Sequence, residues 1–273
     1  MEQLVKDKKR TTVVLLSLAA SLSVYLCIVT MLDSQAARTI VSNNMDADIE
    51  IKNDTAMKEH KKDRKDILDE SIVTSIKDLD GVSEVHPVVF AEITVPWEPD
   101  FSDMWMKEFY EKWLTVPYSQ EKEEYQNHPE NFGSSLIGID EQKFDFLNEN
   151  LEQPINKEEF LSGKTCIIYR NGLDLSNSDL IGSKVTCALH SDKQVTQTFT
   201  IGGVTDESYY TAILGYPPTI ITSDQVVKNF ANESITLKIG VKYTKEYDRN
   251  IEKEILKLLE ANGKEKDLSW DSK

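Results

Sequence analysis

The sequence predicts an α+β fold behind an N-terminal transmembrane helix: a split β-α-β layer with a strand-rich subdomain inserted into it. Three observations lead there. The residues from Thr11 to Leu32 carry no charge, while Lys6, Lys8, Lys9 and Arg10 stand directly before them. Strand-like and helix-like segments then alternate as β-α-β near Asp46–Val95 and as β-α-β-α near Pro218–Ala261. Between these halves, Cys166–Val204 is mostly β-forming.

The uncharged run comes first. At about 1.5 Å per residue, a helix from Thr11 to Leu32 crosses a hydrocarbon core of about 30 Å. The apolar region of a signal peptide is shorter, about 7–15 residues, so length predicts a retained anchor. Ser34-Gln35-Ala36 carries the opposing expectation, cleavage after Ala36, because it sets small residues where a signal peptidase reads them. Cys27 does not suit lipoprotein processing, since Val24-Tyr25-Leu26 lacks the small residue before it. The basic flank places residues 1–10 in the cytoplasm and 33–273 outside, at the cell membrane.

In the first half, "DADIEIK" (Asp46–Lys52) alternates as a half-buried strand. Leu68, Ile72, Ile76 and Leu79 share one face of a helix expected over Asp63–Leu79, which Gly81 ends. "VSEVHPVVFAEITV" (Val82–Val95) reads as a strand broken at Pro87. In the second half, "PTIIT" (Pro218–Thr222) is a strand, Ser223 caps a short helix "SDQVVKNF", and "SITLKIGV" (Ser234–Val241) is a further strand. A last helix runs from Lys245 to Ala261 with Ile251, Ile255, Leu258 and Leu259 as its stripe and Gly263 as its stop. In the middle, "SSLIGIDEQKFDFLN" gives a strand then a helix, and "NKEEFLSGKTCII" a capped turn then a strand. "SKVTCALH" and "QVTQTFTIGGVTD" flank a hairpin turn at "HSDKQ".

The formal charge is −16, and the part after Leu32 is more acidic still, since four basic and only two acidic residues precede Asp33. Such a surface repels nucleic acid; a cationic peptide is the ligand class it would attract. Cys166 and Cys187 are either two buried thiols or, outside the membrane, a disulfide. His60, His86, His128 and His190 are scattered, with no metal-motif spacing. No G-x-S-x-G, P-loop or G-x-G-x-x-G occurs, and "IGGVTD" reads as a bulge or sharp turn. No catalytic, cofactor or metal residue is therefore expected, and the chain is read as a non-enzyme.

One stretch stands out as a candidate partner or ligand face. In "PWEPDFSDMWMKEFYEKWLTVPYSQ" (Pro96–Gln120), Phe101, Trp105, Phe109 and Trp113 recur every fourth residue. On a helix they form one slowly drifting aromatic face. It serves either as a docking surface for a protein, apolar ligand or membrane face, or as the side that packs on its own subdomain.

The order of elements resembles the extracytoplasmic domain of FtsX/MacB-type ABC transporter permeases, with the first membrane helix. "KKRTTVVLLSLAASLSVYLCIVTMLDSQ" looks like that helix with its Lys/Arg entry. "LIGIDEQKFDFLN" resembles the family's G-[IV]-[DN] strand followed by an aromatic-bearing helix. "INKEEFLSGKTCIIYRNGLDLSNSDLIGSKVTC" is similar to its short helix, strand, helix and G-x-x-V entry to a β-ribbon, and "FTIGGVTDE" to its returning strand. The resemblance covers nearly the whole chain through loose patterns. It implies a stalk at 33–45, a porter-like subdomain at 46–95 with 205–263 and a sabre-like insertion at 96–204. It implies a bacterial membrane machine in which a cytoplasmic ABC ATPase subunit binds ATP and the membrane helices transmit its closure outward, for export or mechanotransmission. The remaining permease helices or a second permease copy are further partners. The family has at least three more membrane helices after the outer domain, whereas this sequence ends at "KEKDLSWDSK". A fragment or truncated homologue is the resulting expectation. A single-pass anchored binding protein is the alternative, and a secreted enzyme cleaved near Ala36 an outside one.

Overall fold

The computed structural model describes residues 19–29, 47–56, 58, 60–170, 172–206, 217–231, 234–245 and 248–273. They fall in two units, one reaching to Ala47 and one spanning Asp48–Ser272. In the first, residues 19–29 form helix α1. Its Leu22, Val24, Tyr25, Leu26 and Ile28 are all more than half exposed. Among the described residues no helix is long and apolar enough to cross a membrane. The rest of the expected span at 11–32, the basic segment 1–10 and the stalk 33–45 lie outside the described residues.

The second unit begins with β1 (Ile49–Asn53), α2 (Glu70–Lys77), β2 (Val82–Thr94), α3 (Pro99–Phe109) and α4 (Lys122–Asn127). Then come β3 (Gly133–Ile139), α5 (Glu141–Glu149), α6 (Lys157–Leu161), β4 (Thr165–Tyr169), α7 (Asn177–Leu180), β5 (Lys184–Leu189) and β6 (Thr196–Thr205). It ends with β7 (Thr219–Ser223), α8 (Asp224–Phe230), β8 (Ile235–Tyr243), α9 (Arg249–Ala261) and β9 (Leu268–Ser272).

Several boundaries differ from the pattern-based expectation, each for a local reason. Helix α2 starts seven residues late. Asn53 Nδ2 and Thr55 Oγ1 donate to the Lys65 carbonyl, and the Lys65 N–H donates back to Thr55 Oγ1. That backbone is thus committed outside a helix, and Asp69 caps the start by accepting from the Ser71 and Ile72 N–H groups. Leu68 stays fully buried without being helical. Strand β2 is not broken at Pro87, which faces Ile239 in register; the ladder with β8 shifts one residue later, at Val88/Val89. Ser223 is the N-cap of α8 but makes no side-chain capping bond, because it is still the last residue of β7, opposite Ile139. Helix α9 begins at Arg249, capped by Asp248. The strand β9 was not expected from "KEKDLSWDSK".

The strands form one mixed sheet that closes on itself. β2 pairs antiparallel with β3, β3 parallel with β7, β7 antiparallel with β4, β4 parallel with β6, and β6 antiparallel with β5. The seam is short: Ile93 and Thr94 of β2 meet Leu189 and Ala188 of β5. All six strands send side chains into one cluster, including Ala91, Leu136, Ile220, Ile168, Phe199 and Val185. That cluster fills the ring, as expected of a small closed barrel. On the outer face, α5 and α6 cover Phe90, Ile137, Ile139, Ile167 and Ile221, with Phe144 stacked on Phe160 at 4.3 Å. The sheet continues from β2 through β8 and β1 to β9. There α2 and α9 pack on Ile49, Ile51, Ile239 and Val241. The ladder runs across the expected subdomain boundary, since β7 lies between β3 and β4. Cys166 and Cys187 are free thiols inside the ring, on strands separated by β6; burial raises both, Cys187 to about 12.

Gly138 is the position where α8 crosses β3. A Cβ there would lie 2.5 Å from Val89 Cγ2 and 2.7 Å from Asp224 Cα. The Asp224 backbone cannot swing aside as a side chain can. Gly138→Ala is expected to cost at least about 1–3 kcal/mol, read as a lower urea midpoint with an unchanged slope.

A buried histidine links the open end of the sheet to α5. His86 Nδ1 lies 2.7 Å from Asp140 Oδ2 and Nε2 lies 3.0 Å from Glu84 Oε2. Asp140 also caps α5 through the Lys143 N–H, and Lys242 pairs with Glu84 at 3.2 Å. Burial lowers the His86 pKa, but the two carboxylates outweigh it and the net shift is upward. The Glu84 and Asp140 carboxyls are held below their usual range, Glu84 by its bond to His86, Asp140 by His86 and the Lys143 N–H against burial. The imidazolium therefore adds stability that is complete below its unfolded pKa of about 6.5. That contribution is lost as pH rises through the higher folded value, and the carboxylate part is lost as pH falls below about 4. His86→Gln is expected to remove the decline above neutrality, seen as a flatter pH profile of the urea midpoint.

Candidate docking surface

The stretch that carries the aromatic repeat begins as a regular helix and ends as something else. Pro99 opens α3 at its first turn, where a missing N–H costs nothing. Phe101 and Trp105 point inward, 5% and 2% exposed, with ring centroids 6.1 Å apart. Phe109 is only half-buried against the same cluster. After Phe109 the backbone widens into a π-helical turn, Tyr110–Leu114. It closes through the Thr115 N–H to the Tyr110 carbonyl, and the Val116 N–H reaches the same oxygen at 3.3 Å.

This turn divides the expected face. Each step of four along an α-helix overshoots a full circle by about 40°, whereas the wider π turn rotates less per residue, so the repeat loses its alignment. Tyr110 rotates into the core beside Tyr118 at 5.9 Å, and Trp113 is left 53% exposed. Leu114 and Val116 are exposed with it. The residues Phe101, Trp105, Phe109 and Trp113 therefore do not act as one surface. The first two are core, the third bridges, and only Trp113 is well exposed. Thr115 holds a left-handed conformation, φ 54°, which a β-branched residue rarely adopts. Such strain and π turns cluster at functional positions.

The turn is tied down from two sides. Below it, Asp103 accepts from Trp97 Nε1 and Tyr118 Oη, both at 3.1 Å, and pairs with Lys122. Burial would raise the Asp103 pKa, but these donors lower it overall. Burial and the Asp103 carboxylate push the Tyr118 phenol upward. Beside it runs the loop 172–176. Lys112 Nζ meets Asp174 Oδ2 at 2.6 Å, and the Asp174 N–H donates to Glu108 Oε1 at 3.1 Å. Gly172, at φ 67°, comes so near the Trp113 indole that a Cβ there would lie 3.6 Å from Cζ2. Arg170 anchors this loop: its Nη1 donates to the Leu175 carbonyl at 2.8 Å, and its Nε and Nη2 fork onto Asp206. Arg170, Gly172, Leu173, Asp174, Leu175, Ser176 and Asp206 line an open cleft of about 400 Å³.

The result is an exposed apolar tip on a rigid base, beside a polar cleft whose one arginine is already engaged. On the cleft wall the Ser176 hydroxyl donates to Asp179 Oδ2 at 2.6 Å, as part of the capping box that opens α7. Among the described residues no group of three or more His, Cys, Asp or Glu could hold a metal. Pattern reading found Trp113 but not its separation from Trp105. The available signal was Pro117, which disfavours helix at Val116 and so sets the stretch to end near Thr115. The inward tyrosines Tyr110, Tyr118 and Tyr125 carried no periodic signal.

No protein-family model matches the chain, and no curated protein matches it. Among solved structures, it is similar to the periplasmic region of MacB from Actinobacillus actinomycetemcomitans, with 15% identity and a TM-score of 0.47 over 84% of this chain and 91% of that one. It is also similar to the extracellular domain of the noncanonic ABC-type transporter YknZ from Gram-positive bacteria, with 13% identity and a TM-score of 0.40 over 74% of this chain and 88% of that one.

The two tryptophans separate fold from surface. Trp105→Ala is expected to cost about 3–5 kcal/mol by emptying the core. Trp113→Ala is expected to stay within about 0.5 kcal/mol. Paired urea titrations check this, and equal losses would place Trp113 in the core after all.

Proposed function

We propose that this chain is the extracytoplasmic domain of an ABC transporter permease together with its N-terminal anchor. The supporting observation is where the resembling motifs fall. "LIGIDEQKFDFLN" lies on β3 and α5, with Phe144 on the helix as the aromatic. "INKEEFLSGKTCIIYRNGLDLSNSDLIGSKVTC" covers α6, β4, α7 and the entry to β5, which pairs antiparallel with β6 as a ribbon. Phe199–Thr205 of "FTIGGVTDE" falls on β6. Each motif thus occupies the element type that the family resemblance assigns to it. The exposed apolar side chains of α1 support the anchor, since a helix apolar all round belongs in lipid or a core.

On this reading the chain has no catalytic role. A separate cytoplasmic ATPase hydrolyses ATP, and the helix through Thr11–Leu32 passes its closure to the outer domain. The outer domain then moves substrate or signals to a partner. A second reading, an anchored protein that binds a peptide or protein, is favoured by one observation: the exposed Trp113, Leu114 and Val116 tip. The formal charge of −16 suits a cationic ligand there.

The deciding experiment is affinity capture of the tagged protein from gently solubilised native membranes, with ATP hydrolysis blocked, read by mass spectrometry. A stoichiometric ABC ATPase is the expected result. Capture of the intact chain without one would remove the permease mechanism. The binder reading would then lead, and Trp113→Ala would be expected to lose the captured ligand.

A further inference from the structure

Only the later part of β2 has strand neighbours on both sides. From Val88 to Thr94 it pairs with β3, whereas among the described residues Val82–Pro87 pairs with β8 alone. Ile139, opposite Val88, is the last residue of β3, and the chain turns there into Asp140 and α5. Just past that point His86 reaches Asp140 with its ring. A side-chain contact thus takes the place of the missing strand, at the joint where the ring meets the open sheet.

A neutral histidine cannot satisfy this contact. Both ring nitrogens face a carboxylate oxygen, Nδ1 that of Asp140 at 2.7 Å and Nε2 that of Glu84 at 3.0 Å. Neutral imidazole offers one N–H and one lone pair, so one carboxylate would meet the lone pair. The other charges around the ring leave this unchanged. On β8, Lys242 reaches Glu84 at 3.2 Å, and Gly240, opposite His86, brings no side chain. Beyond Gly240 on β1, Glu50 is engaged by Lys238 at 2.8 Å. Buried Lys143 of α5 opposes the ring's charge, but the two carboxylates prevail. Those carboxylates are unequal. Asp140 is the less exposed and also holds the Lys143 N–H at the start of α5, while Glu84 is more open and has Lys242 as a second cation.

We propose that His86 is a proton-operated latch at this joint, fastening the one-sided half of β2 to the start of α5. Loss of the Nε2 proton to solvent base leaves Nδ1–H on Asp140 and a lone pair facing Glu84. Glu84 then turns to Lys242. The tie to α5 loses its ion-pair character, and Val82–Pro87 opens more readily from the ring side. The latch is shut below the folded-state titration of His86 and loosens as pH rises through it. It also loosens where the carboxylates take up protons, below about pH 4. The proposal does not depend on the transporter reading.

The test uses the full chain in detergent, with 15N-labelled histidine and the His86 signals assigned by their loss in His86→Gln. At about pH 6 both His86 ring nitrogens are expected to carry protons, with a midpoint above the ordinary imidazole value of about 6.5. Amide exchange, corrected for the intrinsic effect of pH, gives the second readout. Through that midpoint Ser83–His86 is expected to lose at least about threefold more protection than Thr165–Tyr169 of β4. Asp140→Asn keeps an oxygen to cap α5 and removes the charge, so it is expected to lower the midpoint by at least about one pH unit. Lys242→Ala leaves Glu84 with His86 alone and is expected to raise it. A purely structural histidine would move in neither variant. A single protonated ring nitrogen at about pH 6, a midpoint indifferent to both substitutions, or equal loss of protection in the two segments would each overturn the proposal.

Discussion

Strand β2 is the member on which the other layers depend. Its residues Val88, Val89 and Phe90 carry ladder partners on both sides, β3 on one and β8 on the other. Its two ends then belong to different bodies. The N-terminal end lies in an open sheet with helices on one face, and the C-terminal end closes a ring. A buried backbone group without a partner is costly, so the strand must satisfy both assemblies at once. The register shift at Val88/Val89 marks the place where it turns from one to the other. The alternation of Val88 and Phe90 toward one side and Val89, Ala91 and Ile93 toward the other feeds two separate apolar clusters. This explains why the middle of the strand, Pro87–Ala91, is apolar without interruption, where a one-sided strand would alternate.

Much of this architecture was legible from pattern alone. The strands Ile49–Asn53, Thr165–Tyr169, Lys184–Leu189 and Thr219–Ser223 announced themselves through β-branched runs between turn residues. The caps at Asp140 and Asn156 were written in the residues before each helix. What escaped was non-local. Nothing in "TIITS" says that it slots between β3 and β4, because its parallel partner β3 and its antiparallel partner β4 both lie far away in the chain and neither is joined to it by a hairpin. The edge strand "LSWDS" is short and polar, and only the vacant side of β1 makes it a strand. The late start of α2 is decided by Asn53 and Thr55, which lie outside its own segment.

The candidate site was half legible for a related reason. A repeat of four predicts one face only while the backbone stays α-helical. Between Phe109 and Thr115 it does not, and the energetic gain that replaces regular geometry is the burial of Tyr110 against Tyr118. The loop 172–176 then supports the displaced indole from a distant part of the sequence. The contrast between a buried Trp105 and an exposed Trp113 therefore belongs to tertiary packing. The same holds for His86, which looked like one of four scattered histidines until the β3–α5 junction brought Asp140 against it.

The order in which the strands occur also bears on how the chain is made. Lys52 of β1 bonds Asp271 of β9, and 219 residues separate them. At a synthesis rate of about 5–20 residues per second, the first strand waits roughly ten to forty seconds for its last neighbour. The ring is delayed as well, because β3 and β4 are both held by β7 and cannot join until it emerges. Through that interval several long apolar strands have open edges, the state most exposed to wrong pairing. The topology thus favours the emergence of β7 and β9 before compaction.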